Sequence, residues 1–473
     1  MNKELKKINN EKGITLVALV VTIVVLLILT GITVNMTVGD NGLITMAKNI
    51  KENIEKAEDE GQKQVDAVKN SEYLEDGAVA KNDSVAPTIN SIDVIKLSDT
   101  SFRVKVNATE VGSGIAKVEY SIDGGKSYVT PNYVKDTSYV FSNLEGNFEK
   151  YNIKVRVTDA SGNTSDSSQQ YQMITEKLIP SGFYYVGGSK YSGVVISDNS
   201  SDKEKYYGKD VVGTDLQGNQ FVWIPCITDS SSAELQYART EWGVEDDNGT
   251  KAIKDELTLT DSSVTYSDVD VANGINADVS KEIVAQINEE KTSVSKYGGY
   301  YIGRYEVGKN GDTAVVKYNQ TPYASINWDT AYGLAKKIIT NSEATSYLCS
   351  SYSWDTAVNF IQNNSIAKNY ATSMEGMNEN WNNNEVRDGN GNVIKGTSYQ
   401  IINNGLTSSY CNLFDIGGNT AEFTTEINPG TSETAIIRGG NDRYWSFPAG
   451  SRWDIASNNS FESYGFRATL FLK

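Results

Sequence analysis

The chain has 473 residues, enough for two or three domains; 39% are hydrophobic, and 28 Tyr, 12 Phe and 7 Trp can fill cores in place of aliphatics. Acidic residues outnumber basic ones by 60 to 43, a net charge of −17, which argues against a protein that tracks phosphate backbones, so no nucleic-acid partner is expected. Histidine is absent, and Cys226, Cys349 and Cys411 stand far apart with no CxxC, which removes the commonest general base, the commonest zinc ligand and any disulfide scaffold.

The first segment carries Lys3, Lys6, Lys7 and Lys12, and residues 13–39 hold no charge. A run of that length suffices for a membrane-spanning helix, which needs roughly 20 apolar residues, and the basic flank would stay cytoplasmic. A cleavable secretory signal is the rival reading. The stretch KGITLVALVVTIVVLLILTG resembles the cleavage and methylation segment of type IV pilins and pseudopilins. The resemblance makes Gly13 the last residue of a leader (1–13) and Ile14 the first mature residue. Ala18 stands where that family usually carries Glu, which bears on filament assembly and not on anchoring. Residues 14–72 are thus expected to form a membrane-spanning and stalk helix, with Ile44, Ala47, Ile50, Ile54 and Ala57 on one face. The expected localisation is a single-pass cell-membrane protein with extracellular domains, associated with pilus components if it joins a filament.

Residues 73–86 read as a polar linker. Residues 87–174 alternate apolar and polar positions between turn clusters such as Asp123-Gly124-Gly125, the pattern of an antiparallel sandwich. SGIAKVEYSIDGG and YNIKVRVTDASGN resemble bacterial Ig-like or fibronectin-III-like repeats, which extend and space.

From Ser181 onward the chain is rich in Tyr, Asn and Gly. QFVWIPCI and GGYYIGRYEVG read as strands, SINWDTAYGLAKKII and SYSWDTAVNFIQ as helices, and the acidic residues 227–294 as a long surface insertion. FVWIP, GGYYIGRYEV, INWDTAYGLAKKI, NLFDIGGNTAEFTTE and IIRGGNDRYW with YGFRATL resemble, in that order, the formylglycine-generating-enzyme-like (sulfatase-modifying-factor) domain, a variant of the C-type lectin fold. The fold class expected is therefore multidomain: an N-terminal transmembrane or pilin-type α-helix, an all-β Ig-like sandwich, and an α+β C-type lectin fold over 181–473.

Oxidising members of that family use a cysteine pair shortly after the RGG motif. On ungapped spacing the two positions are Tyr444 and Ala449, and a phenol and a methyl group cannot replace thiolates. No catalytic residue, copper or zinc is expected. In DIGGNTAEF the family carries a structural calcium site. The resemblance thus implies Asp415, Gly418, Thr420 and Glu422 as calcium ligands, calcium taking about six to eight oxygens; a hydrogen-bonded turn is the alternative.

The closing stretch interleaves rings with Asn, Ser, Asp and Arg, a composition suited to binding protein, or carbohydrate, on another cell, a host or a phage. The expected ligand face comprises Asn441, Asp442, Tyr444, Trp445, Ser446, Phe447, Arg452, Trp453, Asp454, Ser457, Asn458, Asn459, Phe461, Ser463 and Tyr464. Its RGG…GFR frame resembles the variable proteins of diversity-generating retroelements, which implies rewriting of Asn codons there. The function expected is a pilin-like adhesin or receptor-binding protein; the alternatives are a formylglycine-generating enzyme or a structural minor pilin.

Overall fold

A computed structural model describes residues 83–243, 275–374, 378–428, 434–443 and 447–473. The chain divides into two compact units, Met1–Lys81 and Asn82–Lys473, and the described residues belong to the second. The expected leader, membrane helix and stalk, with Gly13 and Ile14, lie outside the described residues. Among the described residues no helix is long and apolar enough to cross a membrane. That finding corrects the expected single-pass localisation: the helices described are amphipathic and rest on protein neighbours.

The described chain is mostly β-sheet, in several sheets, with few helices. Strands β1 (Thr88–Ser98), β2 (Ser101–Thr109), β3 (Ile115–Ser121), β4 (Ser138–Phe141), β5 (Lys150–Asp159) and β6 (Thr164–Gln172) make two antiparallel sheets ordered β1-β2-β4 and β3-β5-β6. In β2 Phe102, Val104 and Val106 point inward while Arg103, Lys105 and Asn107 face water. In β5 Tyr151, Ile153, Val155 and Val157 are the inward set. The two faces close over Val118, Tyr120, Phe141 and Met173, which is the period-2 alternation of strands buried on one side.

This sandwich is docked on the rest of the unit instead of hanging as a free spacer. Phe148, fully buried, belongs to the core of the following domain and stacks on Tyr185 with centroids 6.0 Å apart. Around it Lys190 pairs with Glu145 at 2.6 Å and Glu149 at 2.5 Å, and Lys150 with Asp210 at 2.8 Å.

The remainder continues with β7 (Tyr184–Gly187), β8 (Val194–Ser197), β9 (Gln220–Pro225), helix α1 (Ala277–Tyr297) and β10 (Gly299–Gly303). A small sheet of β11 (Gly308–Asn310), β12 (Thr313–Val315) and β13 (Thr321–Pro322) precedes α2 (Trp328–Ala335), β14 (Ala344–Leu348) and α3 (Ser351–Asn364). Two hairpins follow, β15 (Val386–Arg387) with β16 (Val393–Lys395) and β17 (Ser409–Tyr410) with β18 (Leu413–Phe414). The chain ends with β19 (Ala421–Ile427), β20 (Ala435–Arg438), β21 (Arg452–Ile455), β22 (Tyr464–Phe466) and β23 (Ala468–Leu472).

The large sheet runs β14-β23-β10-β9-β8-β7 and is antiparallel throughout. Its inner strands β9 and β10 are covered on both faces, so FVWI and YYI read as unbroken apolar runs. A second sheet, β21-β20-β19-β22, pairs β19 and β22 in parallel and carries the candidate site.

The expected insertion over residues 227–294 is corrected at its C-terminal end. Its last residues begin α1, with Ile283, Ile287 and Val294 buried beside Ser280, Gln286, Glu290 and Ser293. The Asn276 side chain caps it by accepting from the N–H groups of Asp278 and Val279, and Gly298 at φ 75° ends it, as left-handed C-terminal glycines do.

Candidate functional site

Strand β20 delivers Arg438-Gly439-Gly440 to a crowded crossing. Gly439 has φ 73°, and a Cβ there would lie 2.8 Å from the Ile416 carbonyl; one on Gly440 would lie 2.5 Å from the Phe447 carbonyl. Both positions demand glycine, the first for its dihedral and both for space. Arg438, 0% exposed, donates to Asp355 Oδ1 at 2.6 Å and to the Ser451 carbonyl at 2.8 Å. Arg452 on β21 donates to Asp355 Oδ2 at 2.5 Å and to both Glu426 oxygens at 3.1 and 3.2 Å. Arg239 reaches Glu426 Oε1 at 2.7 Å. Three guanidiniums and two carboxylates thus tie α3, β19, β20, β21 and the loop after β9 into one buried network. Burial lowers the pKa of Arg438, and the nearby Arg452 lowers it further. Fork geometry of this kind fixes orientation as well as charge.

On this floor the expected ligand face divides. Asn441, Asp442, Phe447, Arg452, Trp453, Ser457, Ser463 and Tyr464 are buried, so the expectation that they form an exposed surface is corrected. Asp442 accepts from Ser463 Oγ, and Phe447 meets Trp453 edge-on with centroids 3.7 Å apart. Asp454 is half-buried and accepts from Asn428 Nδ2 at 3.0 Å. Asn458 and Asn459 are exposed and Phe461 half-exposed. Arg443 lies over the Phe461 ring at 5.5 Å and pairs with Glu462. Tyr444, Trp445 and Ser446 lie outside the described residues. Of the two positions aligned with the enzyme's cysteines, Ala449 is 0% exposed and its carbonyl accepts from Trp354 Nε1 at 2.7 Å. The cysteines are free thiols; Cys226 and Cys349 are buried, and burial raises the pKa of both.

The expected calcium ligands sit in a second buried polar cluster, where the side chains of Asp415, Thr420 and Glu422 each have a protein partner. Glu422 is gripped by Arg467, Oε1 at 2.7 Å from Nη2 and Oε2 at 3.1 Å from Nε. Asp415, at φ 54°, accepts from Thr407 Oγ1 at 2.7 Å. Thr420 donates its hydroxyl to Glu306 Oε1 at 2.7 Å. A Cβ on Gly418 would meet the Asn380 carbonyl at 2.8 Å, so the glycine serves a close backbone approach. Arg467 occupies both oxygens of Glu422, so of the expected ligands Glu422 is the one that already has a cation as its partner. Sequence reading missed Glu306 and Glu379, which complete the cluster. Glu379 accepts from Tyr370 OH at 2.6 Å and from Gly417 N at 3.1 Å. Burial pushes Asp415 up to about 6, Glu379 up to about 8, and Glu306 well above the carboxylate range. A further acidic group among the described residues, Asp83, Glu110 and Asp159, has carboxylate oxygens within 4.8 Å of one another at one end of the sandwich.

Residues 81–190 match a family described as a domain of unknown function (DUF7743). No curated protein matches. Among solved structures the chain is similar to the PKD1 domain of Vibrio anguillarum Epp, with 14% identity over 19% of this chain and 96% of that one and a TM-score of 0.16. It is likewise similar to the PKD1 domain of the Vibrio cholerae metalloprotease PrtV, with 15% identity over 19% of this chain and 100% of that one and a TM-score of 0.16.

Proposed function

We propose that the chain is a binding protein of the adhesin or receptor-binding kind, with its ligand face on the loops between β20 and β22. The scaffold resembles the C-type lectin variant of formylglycine-generating enzymes. The observation that carries this reading is a buried network of ion pairs flanked by exposed polar residues on the connecting loops. Arg438, Arg452, Asp355 and Glu426 make up that network, and Asn458, Asn459, Phe461, Glu462 and Arg443 are the rim residues with solvent access. Short polar side chains beside an aromatic and an arginine on a fixed base suit a protein ligand, with carbohydrate second. Diversification by a retroelement would act on the rim, since Asn441, Asp442, Ser457 and Ser463 are buried in the floor. Structural calcium at 415–422 is not part of the proposal.

The test immobilises the protein and a rim variant, N458A/N459A/F461A, and exposes both to glycan arrays and to displayed host, bacterial and phage proteins. A ligand held by the parent and lost by the variant is expected; equal retention would place the face elsewhere. Incubation with a cysteine-bearing sulfatase peptide is expected to leave the cysteine unmodified, and its conversion to formylglycine would return the enzyme reading. Sequencing DNA beside the gene is expected to reveal a near-copy of codons 438–467 differing at adenines, next to a reverse-transcriptase gene.

A further inference from the structure

The β15–β16 hairpin lies on the surface, and of residues 386–395 only Val386 and Lys395 are buried, at 0% and 2% exposure. A lysine so deep is ordinarily paired with a carboxylate. Among the described residues the Lys395 ammonium instead meets two amide oxygens, the main-chain carbonyl of Asn382 at 3.1 Å and Asn384 Oδ1 at 3.4 Å. The Asn384 carboxamide is fixed from its other sides. Its Oδ1 accepts from Trp381 N at 3.2 Å, and its Nδ2 donates to the Glu379 carbonyl at 2.7 Å.

We propose that Lys395 and Asn384 join in an intramolecular isopeptide bond that staples the base of the hairpin. Nζ of Lys395 attacks Cγ of Asn384; the Nζ–Cγ bond forms, the Cγ–Nδ2 bond breaks, and ammonia departs with the proton that Nζ releases. The step balances without oxidant, reductant or co-reactant. Three features of the site favour it. The nucleophile and the amide are held together, which removes the entropic part of the barrier. The Trp381 N–H already points at the oxygen on which negative charge develops. Burial lowers the pKa of Lys395, which raises the share of neutral amine able to attack. Asp442, 1% exposed, acts on that lysine through its charge, and burial raises its own pKa.

The bond is read by tryptic mapping of the denatured full chain. Trypsin does not cut after an acylated lysine. The linked chain therefore yields residues 369–387 joined to residues 388–438, lighter by one ammonia than the two peptides together. An unlinked chain yields the free peptide 388–395. The joined species is expected in the parent, and Asn384→Ala is expected to release the free peptide. A parent digest with the free peptide in full yield would overturn the proposal. So would its absence from both digests, which would mean that the lysine is blocked by something other than Asn384. The digest is made on unfolded protein, so the readout survives any variant that folds poorly.

Discussion

Arg467 shows how one side chain can decide what a cluster does. Its guanidinium grips both oxygens of Glu422 and also donates to the Gly303 and Phe414 carbonyls at 3.0 and 2.9 Å. Burial lifts Glu422 to about 7 while Arg467 pulls it back, and the two-point grip marks Glu422 as the charged member of the cluster. Removing the cation leaves that charge without its partner. Arg467→Leu is therefore expected to destabilise the fold by about 3–5 kcal/mol, read from urea unfolding followed by tryptophan fluorescence. A loss below about 1 kcal/mol would mean that Glu422 folds uncharged. Asn459→Ala on the exposed rim should stay within about 0.5 kcal/mol of the parent in the same assay. The contrast bears on what the sequence disclosed. Asn441, Asp442 and Ser463 resemble binding residues in type while serving as internal bonds, Asp442 accepting from Ser463 Oγ and Asn441 Oδ1 from Arg443 N, and Ser457 is buried beside them. Composition reports what a side chain can bond, and only packing reports which way it faces.

At the scale of elements, α1 is the instructive case. Its buried face mixes Ile283, Ile287 and Val294 with Ser280, Gln286, Glu290 and Ser293, so the apolar stripe is interrupted and the segment reads as a polar insertion. Glu290 draws on partners remote in sequence: besides Gln286 Nε2 on the helix itself at 2.8 Å, it accepts from Tyr237 OH and Ser350 Oγ, each at 2.6 Å. Those partners lie on the loop after β9 and at the start of α3, which sequence periodicity cannot reveal. The cap Asn276 and the closing Gly298 were visible signals that could have found the helix. By contrast β9 and β10 were legible because a strand covered on both faces has little choice but to be apolar. Helix α1 rests on β10 and β23 through its isoleucines. Ile287→Ala is accordingly expected to cost about 2–5 kcal/mol, measured as a fall in the urea midpoint at unchanged slope. An unchanged midpoint would show that α1 is not integral to the core.

For the described unit as a whole, the balance of buried charge sets the response to pH. Glu290, Glu379 and Asp415 are fully buried, and burial raises them to about 7, 8 and 6. Unfolded carboxyls titrate near ~4. For a carboxyl whose folded pKa is raised, the folded state binds the proton more tightly, so its stabilising contribution is full below the unfolded value and is lost as pH rises through the folded one. The window thus opens near pH ~4 and closes near pH 8. Within it each group still titrating removes about 1.4 kcal/mol per pH unit. Carboxyls of the opposite kind, such as Asp166 beneath Arg156 and Lys154, have lowered values and lose their contribution only as pH falls below the unfolded range. The two sets place the stability maximum on the acidic side of neutrality. The sandwich shares Phe148 with the core of the following domain, so the described unit is expected to melt in one transition. Thermal melts by circular dichroism should then show Tm falling steadily from pH 5 to pH 8, with a shallower fall for Glu379→Gln, which keeps the Tyr370 contact without a titrating proton. A Tm that is flat or rising over that range would mean that the buried carboxylates find a counter-charge in the folded protein, and the cluster around Glu306 would then have to be read again as a cation site.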